Sequence, residues 1–206
     1  MRKFKAYLIA AVLFIATPTM SARAAEQKAV FAGGCFWGVE AVFEHVKGVT
    51  AVRSGYAGGT KGTANYEGVS SGATKHAEAV EIRFDPAKVT YEQLLNVFFV
   101  VAHDPTQIDR QGPDTGTQYR SAIFYSDEQQ KKSAMAFIKA LNESKAFGKP
   151  IATEVVPLTG FFEAEEHHQN YLKLNPEDPY IVYNDLPKVA DLKKKFPALY
   201  RTVPAP

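Results

Sequence analysis

Phe31-Ala32-Gly33-Gly34-Cys35-Phe36-Trp37-Gly38-Val39-Glu40 is the stretch from which the rest of this 206-residue chain can be read. It holds the only cysteine and the only tryptophan. Ahead of it, Lys28 to Phe31 is a short apolar run that predicts a strand. Behind it, Val39, Val42, Phe43 and Val46 recur at helical spacing, which predicts a helix over Val39 to His45 with one buried face. Gly33 and Gly34 between the two permit a tight turn and a close backbone approach. Cys35 is thereby placed where a helix begins. Unpaired N–H groups and the positive end of the helix dipole there favour thiolate over thiol. A lone cysteine is often just a small buried hydrophobe. A packing cysteine, however, has no need of a Gly-Gly turn or of two flanking aromatics, and Phe36 and Trp37 are expected to stand exposed as a wall beside a reactive thiol.

Met1-Arg-Lys-Phe-Lys5 is a basic start, Ala6 to Ala16 an apolar run, and Ala22-Arg23-Ala24 places small residues around a cleavage site. This pattern predicts a signal peptide over residues 1–24, cleavage near Ala24, and export to the periplasm or beyond. An uncleaved anchor is the alternative, against which the run is short for a bilayer. Loss of Arg2, Lys3, Lys5 and Arg23 takes the formal charge from +2 to −2, so there is no basic signal for nucleic acid. One cysteine cannot form an internal disulfide, so stability must come from an ordinary core. Hydrophobic content of 46% with 12% aromatics supports one. Residues 25–206 are of a length for one catalytic domain, without a repeat, low-complexity tract or linker.

Further along, Val49 to Gly55 predicts a strand, followed by a glycine-studded loop from Tyr56 to Tyr66. His76 to Phe84 alternates, with His76, Glu78, Val80, Ile82 and Phe84 on one face. Glu78 thus shares the face expected to be buried. Desolvation raises the pKa of such a carboxyl and favours the neutral acid, which is what a general acid requires at neutral pH. A strand-end Glu reaching solvent, or one paired with Lys or Arg, fits the same pattern. Thr90 caps a predicted core helix over Tyr91 to Ala102, and a long polar loop runs from His103 to Arg120. A strand over Ser121 to Tyr125, a helix from Asp127 to Ser144, a strand over Thr153 to Val156, a helix over Glu163 to Leu174 and a helix-like tail over Asp185 to Tyr200 complete the order. Strand-helix-strand-strand-helix-strand is a split β-α-β arrangement, so the fold class is α+β: a ferredoxin-like two-layer sandwich with C-terminal additions.

Several chemistries can be weighed on these residues. A cysteine-histidine hydrolase needs a histidine within reach of Cys35, and the spacing favours none of His103, His167 or His168. A metal site is poorly served: there is no paired-ligand motif, and adjacent His167 and His168 on a helix point about 100° apart. A thiol redox enzyme needs a low-pKa cysteine, an acid and a shaped pocket, and suits the inventory best.

The chain also resembles the A-type peptide methionine sulfoxide reductases from about Val30 to Tyr200. The resemblance is carried by Gly34-Cys-Phe-Trp-Gly38, Ser54-Gly-Tyr-Ala-Gly-Gly59, Asn65-Tyr66-Glu67, His76-Ala-Glu-Ala-Val80, His103-Asp-Pro-Thr106, Gln111-Gly112, Gly116-Thr-Gln-Tyr-Arg-Ser121 and Ala164-Glu165 with His168-Gln169. It implies a repair enzyme of oxidative stress that reduces S-methionine sulfoxide in proteins and as the free amino acid, without a cofactor. Cys35 would attack the sulfoxide sulfur and become a sulfenic acid, and Glu78 would protonate the oxygen. Tyr66 and Tyr119 would hold that oxygen, Asp114 would organise the loop or a water, and Phe36 and Trp37 would enclose the methyl group. His168-Gln169 is read as structural support, and Tyr56, Tyr91 and Tyr171 as core or rim. Many members carry resolving cysteines near the C-terminus; this chain has none. The implied reductant is therefore external: thioredoxin-type, glutaredoxin or a small thiol. Lys75 and Pro113 also depart from the residues frequent there. A monomer is expected, with oxidised proteins as partners and neither nucleic acid nor a membrane span after cleavage. A thiol-disulfide or deglutathionylation enzyme using Cys35 is the alternative, and a non-catalytic binder of oxidised methionine a weaker third.

Overall fold

The computed structural model describes residues 25–206; the expected signal peptide lies outside the described residues. Strand β1 (Gln27–Gly33) leads into helix α1 (Phe36–Glu44), then β2 (Val49–Ala57), a short helix α2 (Tyr66–Ser70) and β3 (Ala77–Phe84). Helix α3 (Tyr91–Val97) continues through a wider turn over Phe98–Ala102. A two-residue hairpin follows, β4 (Arg110–Gln111) and β5 (Asp114–Thr115), then β6 (Ser121–Tyr125), α4 (Glu128–Ser144) and β7 (Glu154–Pro157). β8 (Phe161–Glu163), α5 (Tyr171–Leu174) and α6 (Leu186–Lys195) come last.

The sheet order is β7-β6-β1-β3-β2-β8. Its middle four strands are antiparallel neighbours, the ferredoxin-like arrangement, and β7 adds in parallel beside β6. The alternation in β3 sorts the two faces. Val80, Ile82 and Phe84 join Phe31, Val39, Phe43, Leu94, Phe98 and Ile123 in the main core under the helices. Ala77 and Ala79 turn to the other face, where Ala32, Ala57, Ala122 and Phe124 form a smaller cluster against Val156, Leu158 and Phe161. Local signals set the helix ends. Thr90 Oγ accepts from the Gln93 N–H while the Gln93 side chain accepts from the Thr90 N–H, and Asp127 accepts from the Gln130 N–H at 2.8 Å.

Two expectations need correction. The segment from Glu163 to Leu174 is not one helix: it ends strand β8, makes a 3₁₀ turn at Glu166–His168 and re-forms a helix only at Tyr171. Asn170 is left-handed there (φ 54°) and breaks the run. The stretch from Tyr56 to Tyr66 is likewise no open loop, because Tyr56 and Ala57 complete β2 and Asn65 caps α2 by accepting from the Gly68 N–H.

Ile82 is fully buried, while the next residue, Arg83, faces solvent. Ile82→Ala is expected to lower unfolding free energy by about 2–5 kcal/mol in urea denaturation, and Arg83→Ala by within about 0.5 kcal/mol.

Candidate active site

Cys35 occupies the N-cap of α1, and its side chain makes no capping bond to the helix. The turn before it needs Gly34, whose φ of +95° disfavours any side chain and whose Cβ would fall 2.6 Å from Gln111. The helix end is capped instead from across the fold: the Phe36 N–H donates to Glu78 Oε2 of the central strand at 3.1 Å. The Trp37 backbone N–H lies in the same first turn.

Glu78 has 2% of its surface exposed. Its oxygen takes a backbone donor rather than a cation, which removes the salt-bridge reading. Burial pushes its pKa up to about 8, the Asp114 charge adds to that, and the Phe36 bond opposes it. At neutral pH the carboxyl is therefore mostly neutral. Cys35 corrects the sequence reading. Burial first, then the negative potentials of Glu78 and Asp185, hold its pKa well above that of a free thiol, and the helix-end donor only partly offsets them. The resting residue is a thiol, not a thiolate.

The aromatic wall also differs from expectation. Phe36 is 1% exposed and packs inward, and only Trp37 is partly open. The Trp37 indole stacks on Tyr171 (3.7 Å between centroids, 7° between planes), meets Tyr180 edge-on, and donates its Nε1–H to His168 Nδ1 at 3.3 Å. The Tyr66 ring lies 4.4 Å from the His168 ring. The Tyr66, Tyr119 and Tyr180 hydroxyls are all pushed above the ordinary tyrosine range by burial first; Glu78, Cys35 and Asp114 add to this at Tyr66 and Tyr119, and Cys35, Asp114 and Asp185 at Tyr180. Tyr180 also donates to Asp114.

The structure thus gathers Cys35, Phe36, Trp37, Glu78, Tyr66, Tyr119 and Asp114 at one place. Sequence reasoning missed Tyr180 and Asp185, and it underrated His168 and Tyr171. Their only signal was the clustering of aromatic and acidic residues in a C-terminal stretch without core periodicity. Glu165 holds the near side together, accepting from the Tyr56 hydroxyl at 2.8 Å and the Tyr66 N–H at 2.9 Å.

The hydrolase reading fails on His103, whose ring nitrogens meet the Phe98 carbonyl and the Ser121 hydroxyl, and whose pKa burial lowers to about 4. Among the described residues no cluster of His, Cys, Asp or Glu is arranged to hold a metal.

The family model described as "Peptide methionine sulfoxide reductase" matches residues 27–199. The chain belongs to that family. It is an oxidoreductase that reduces methionine sulfoxide in proteins. Among its relatives, peptide methionine sulfoxide reductase MsrA 2 of Mesorhizobium japonicum is 57% identical over 86% of this chain and 91% of the relative. That of Synechocystis sp. is 52% identical over 87% and 84%. The solved methionine sulfoxide reductase A of Corynebacterium diphtheriae superposes with a TM-score of 0.70 at 36% identity, covering 77% of this chain and 79% of that one. In this reductase a thiol and a neutral carboxyl stand together at the start of α1.

The neutral carboxyl has a cost that can be measured. Folded Glu78 keeps its proton up to about pH 8, whereas the unfolded chain releases it near 4.5. Between those values folding takes up a proton, so stability falls as pH rises. Glu78→Gln, which can still accept from the Phe36 N–H, is expected to raise Tm by at least about 4 °C at pH 8 and by little at pH 4.5, read by differential scanning calorimetry.

Proposed function

We propose that this enzyme reduces the S epimer of methionine sulfoxide by a one-cysteine cycle at Cys35. The supporting observation is the neutral, buried Glu78 bonded to the same helix turn that carries the thiol. A sulfoxide oxygen leaves sulfur poorly until it is protonated. Glu78 delivers a proton to that oxygen as the Cys35 sulfur attacks the sulfoxide sulfur, and the thiol proton replaces the one Glu78 gives up. The oxygen passes to Cys35 as a sulfenic acid and methionine departs. Atoms balance, since thiol plus sulfoxide equals sulfenic acid plus thioether.

Tyr66 and Tyr119 hold the oxygen with hydroxyls kept protonated by their surroundings. Asp114, engaged with Tyr180, steadies the β4–β5 hairpin beside them. Phe36 and Trp37 receive the methyl group, and fixing both methyl and oxygen selects one epimer. With no second cysteine in the chain, two equivalents of an external thiol return the sulfenic acid to thiol, leaving a disulfide and water. Thioredoxin-type proteins, glutaredoxins and small thiols have the required chemistry. Removal of residues 1–24 leaves a catalytic domain of residues 25–206 in the periplasm or outside the cell. No helix among the described residues is long and apolar enough to cross a membrane. A mixed-disulfide reductase would use Cys35 but leave Glu78, Tyr66 and Tyr119 without work.

Single-turnover reaction of the two epimers without added thiol tests this reading. One equivalent of methionine from the S epimer only, with a sulfenic acid on Cys35 by mass spectrometry, is the expected result. Glu78→Gln should slow that turnover by about 10²–10⁴. Methionine release at wild-type rate from the Gln variant at pH 7 would remove Glu78 from the mechanism, and no release from either epimer would remove the reaction itself.

A further inference from the structure

Asp185 is fully buried and sits at the N-cap position of α6, yet its carboxyl accepts from no backbone N–H of that helix. It is turned across to α1. A Cβ on Gly38 would fall 2.0 Å from Asp185 Oδ1 and 2.8 Å from Lys188 Nζ, so the glycine closing the Cys35 turn is what leaves room for this pair. Asp185 Oδ1 accepts from Lys188 Nζ at 3.0 Å, and Oδ2 is buried without a partner. Gly38 lies three residues beyond Cys35, about 4.5 Å along the helix axis. A carboxyl has therefore been placed beside the helix end that would otherwise stabilise a thiolate.

We propose that Asp185, held by Lys188 against the first turn of α1, is a positioning residue that acts through Cys35, keeping it a thiol between turnovers and so shielding it from peroxides. This rests on the reading of Cys35 as the nucleophile. Peroxides oxidise thiolates: the sulfur attacks one oxygen, the O–O bond breaks, and sulfenic acid and water result. A thiol is spared that reaction, while the sulfoxide substrate meets its own acid in Glu78. The groups facing Cys35 are Glu78 from β3, Asp114 from β5, Asp185 from the C-terminal segment, and the hydroxyls of Tyr66, Tyr119, Tyr171 and Tyr180. Glu78 is mostly neutral at pH 7, and Asp114 accepts from the Tyr180 hydroxyl. Burial raises the Asp185 pKa, and the Lys188 cation beside it opposes that rise and favours the carboxylate form against the first turn of α1.

The test is alkylation of Cys35 by iodoacetamide against pH in the purified protein, followed by mass spectrometry, with peroxide oxidation at pH 7 alongside. Asp185→Asn should move the alkylation midpoint down by about one pH unit and speed oxidation about tenfold. A folded Asp185→Asn variant that titrates with the wild type overturns the proposal. Lys188→Met leaves the carboxylate without its cation and should move the midpoint upward; a midpoint unchanged or lowered overturns the proposal even where the Asn variant does not fold. Methionine release by the wild type in the same samples separates the two readings. Failure there removes Cys35 as the nucleophile, whereas a normal release with an unmoved midpoint removes only Asp185.

Discussion

One hydrogen bond, from the Phe36 N–H to Glu78, ties the start of helix α1 to the middle of the sheet. The arrangement of the site follows from it. A helix start leaves N–H groups without partners, and a buried carboxyl must find a donor or lose its charge. Each defect answers the other. Because β3 lies between β1 and β2, the carboxyl projects from an interior strand of the sheet into the core side. Cys35, one residue before the bonded amide, inherits that fixed position.

Burial then decides the protonation states. A helix end contributes roughly 0.3–1 kcal/mol to a nearby anion, less than one pKa unit, whereas full desolvation moves a group by up to about 3–5 units. Desolvation is the largest influence on both Cys35 and Glu78, and each of them resists charge at neutral pH. The helix-dipole argument alone gives a thiolate at Cys35, and burial reverses that resting state.

Much of the fold was legible because its signals are local. Alternation in His76 to Phe84 gave the central strand and put Glu78 on the correct face. Thr90 and Asp127 marked helix starts as their side chains indeed do. The segment from Glu163 to Leu174 was misread because its conformation is held by distant partners. Gln169 bonds to both the N–H and the carbonyl of Ser54, and the Asn170 N–H donates to Glu40. Local propensity over Glu163 to Leu174 favours helix, and these contacts override it. The same distance hid Tyr171, Tyr180 and Asp185, which reach Trp37, Asp114 and Gly38 only through the tertiary fold.

The contact between Asn170 and Glu40 shows how the acid chemistry extends beneath the visible site. Glu40 and Glu44 lie one turn apart on α1, both buried, and burial raises them to about 8 and about 7. They stand on the helix that begins at Cys35, and Glu40 anchors the loop whose His168 receives the Trp37 indole. Glu40 and Glu78 therefore mostly carry protons at neutrality, and Glu44 about half of one, that the unfolded chain would release. By linkage each of them makes the fold less stable as pH rises through the neutral range. A core rich in packed aromatics tolerates that loss. In exchange, the Glu40 and Glu78 carboxyls are held by the backbone N–H groups of Asn170 and Phe36 rather than by surface cations.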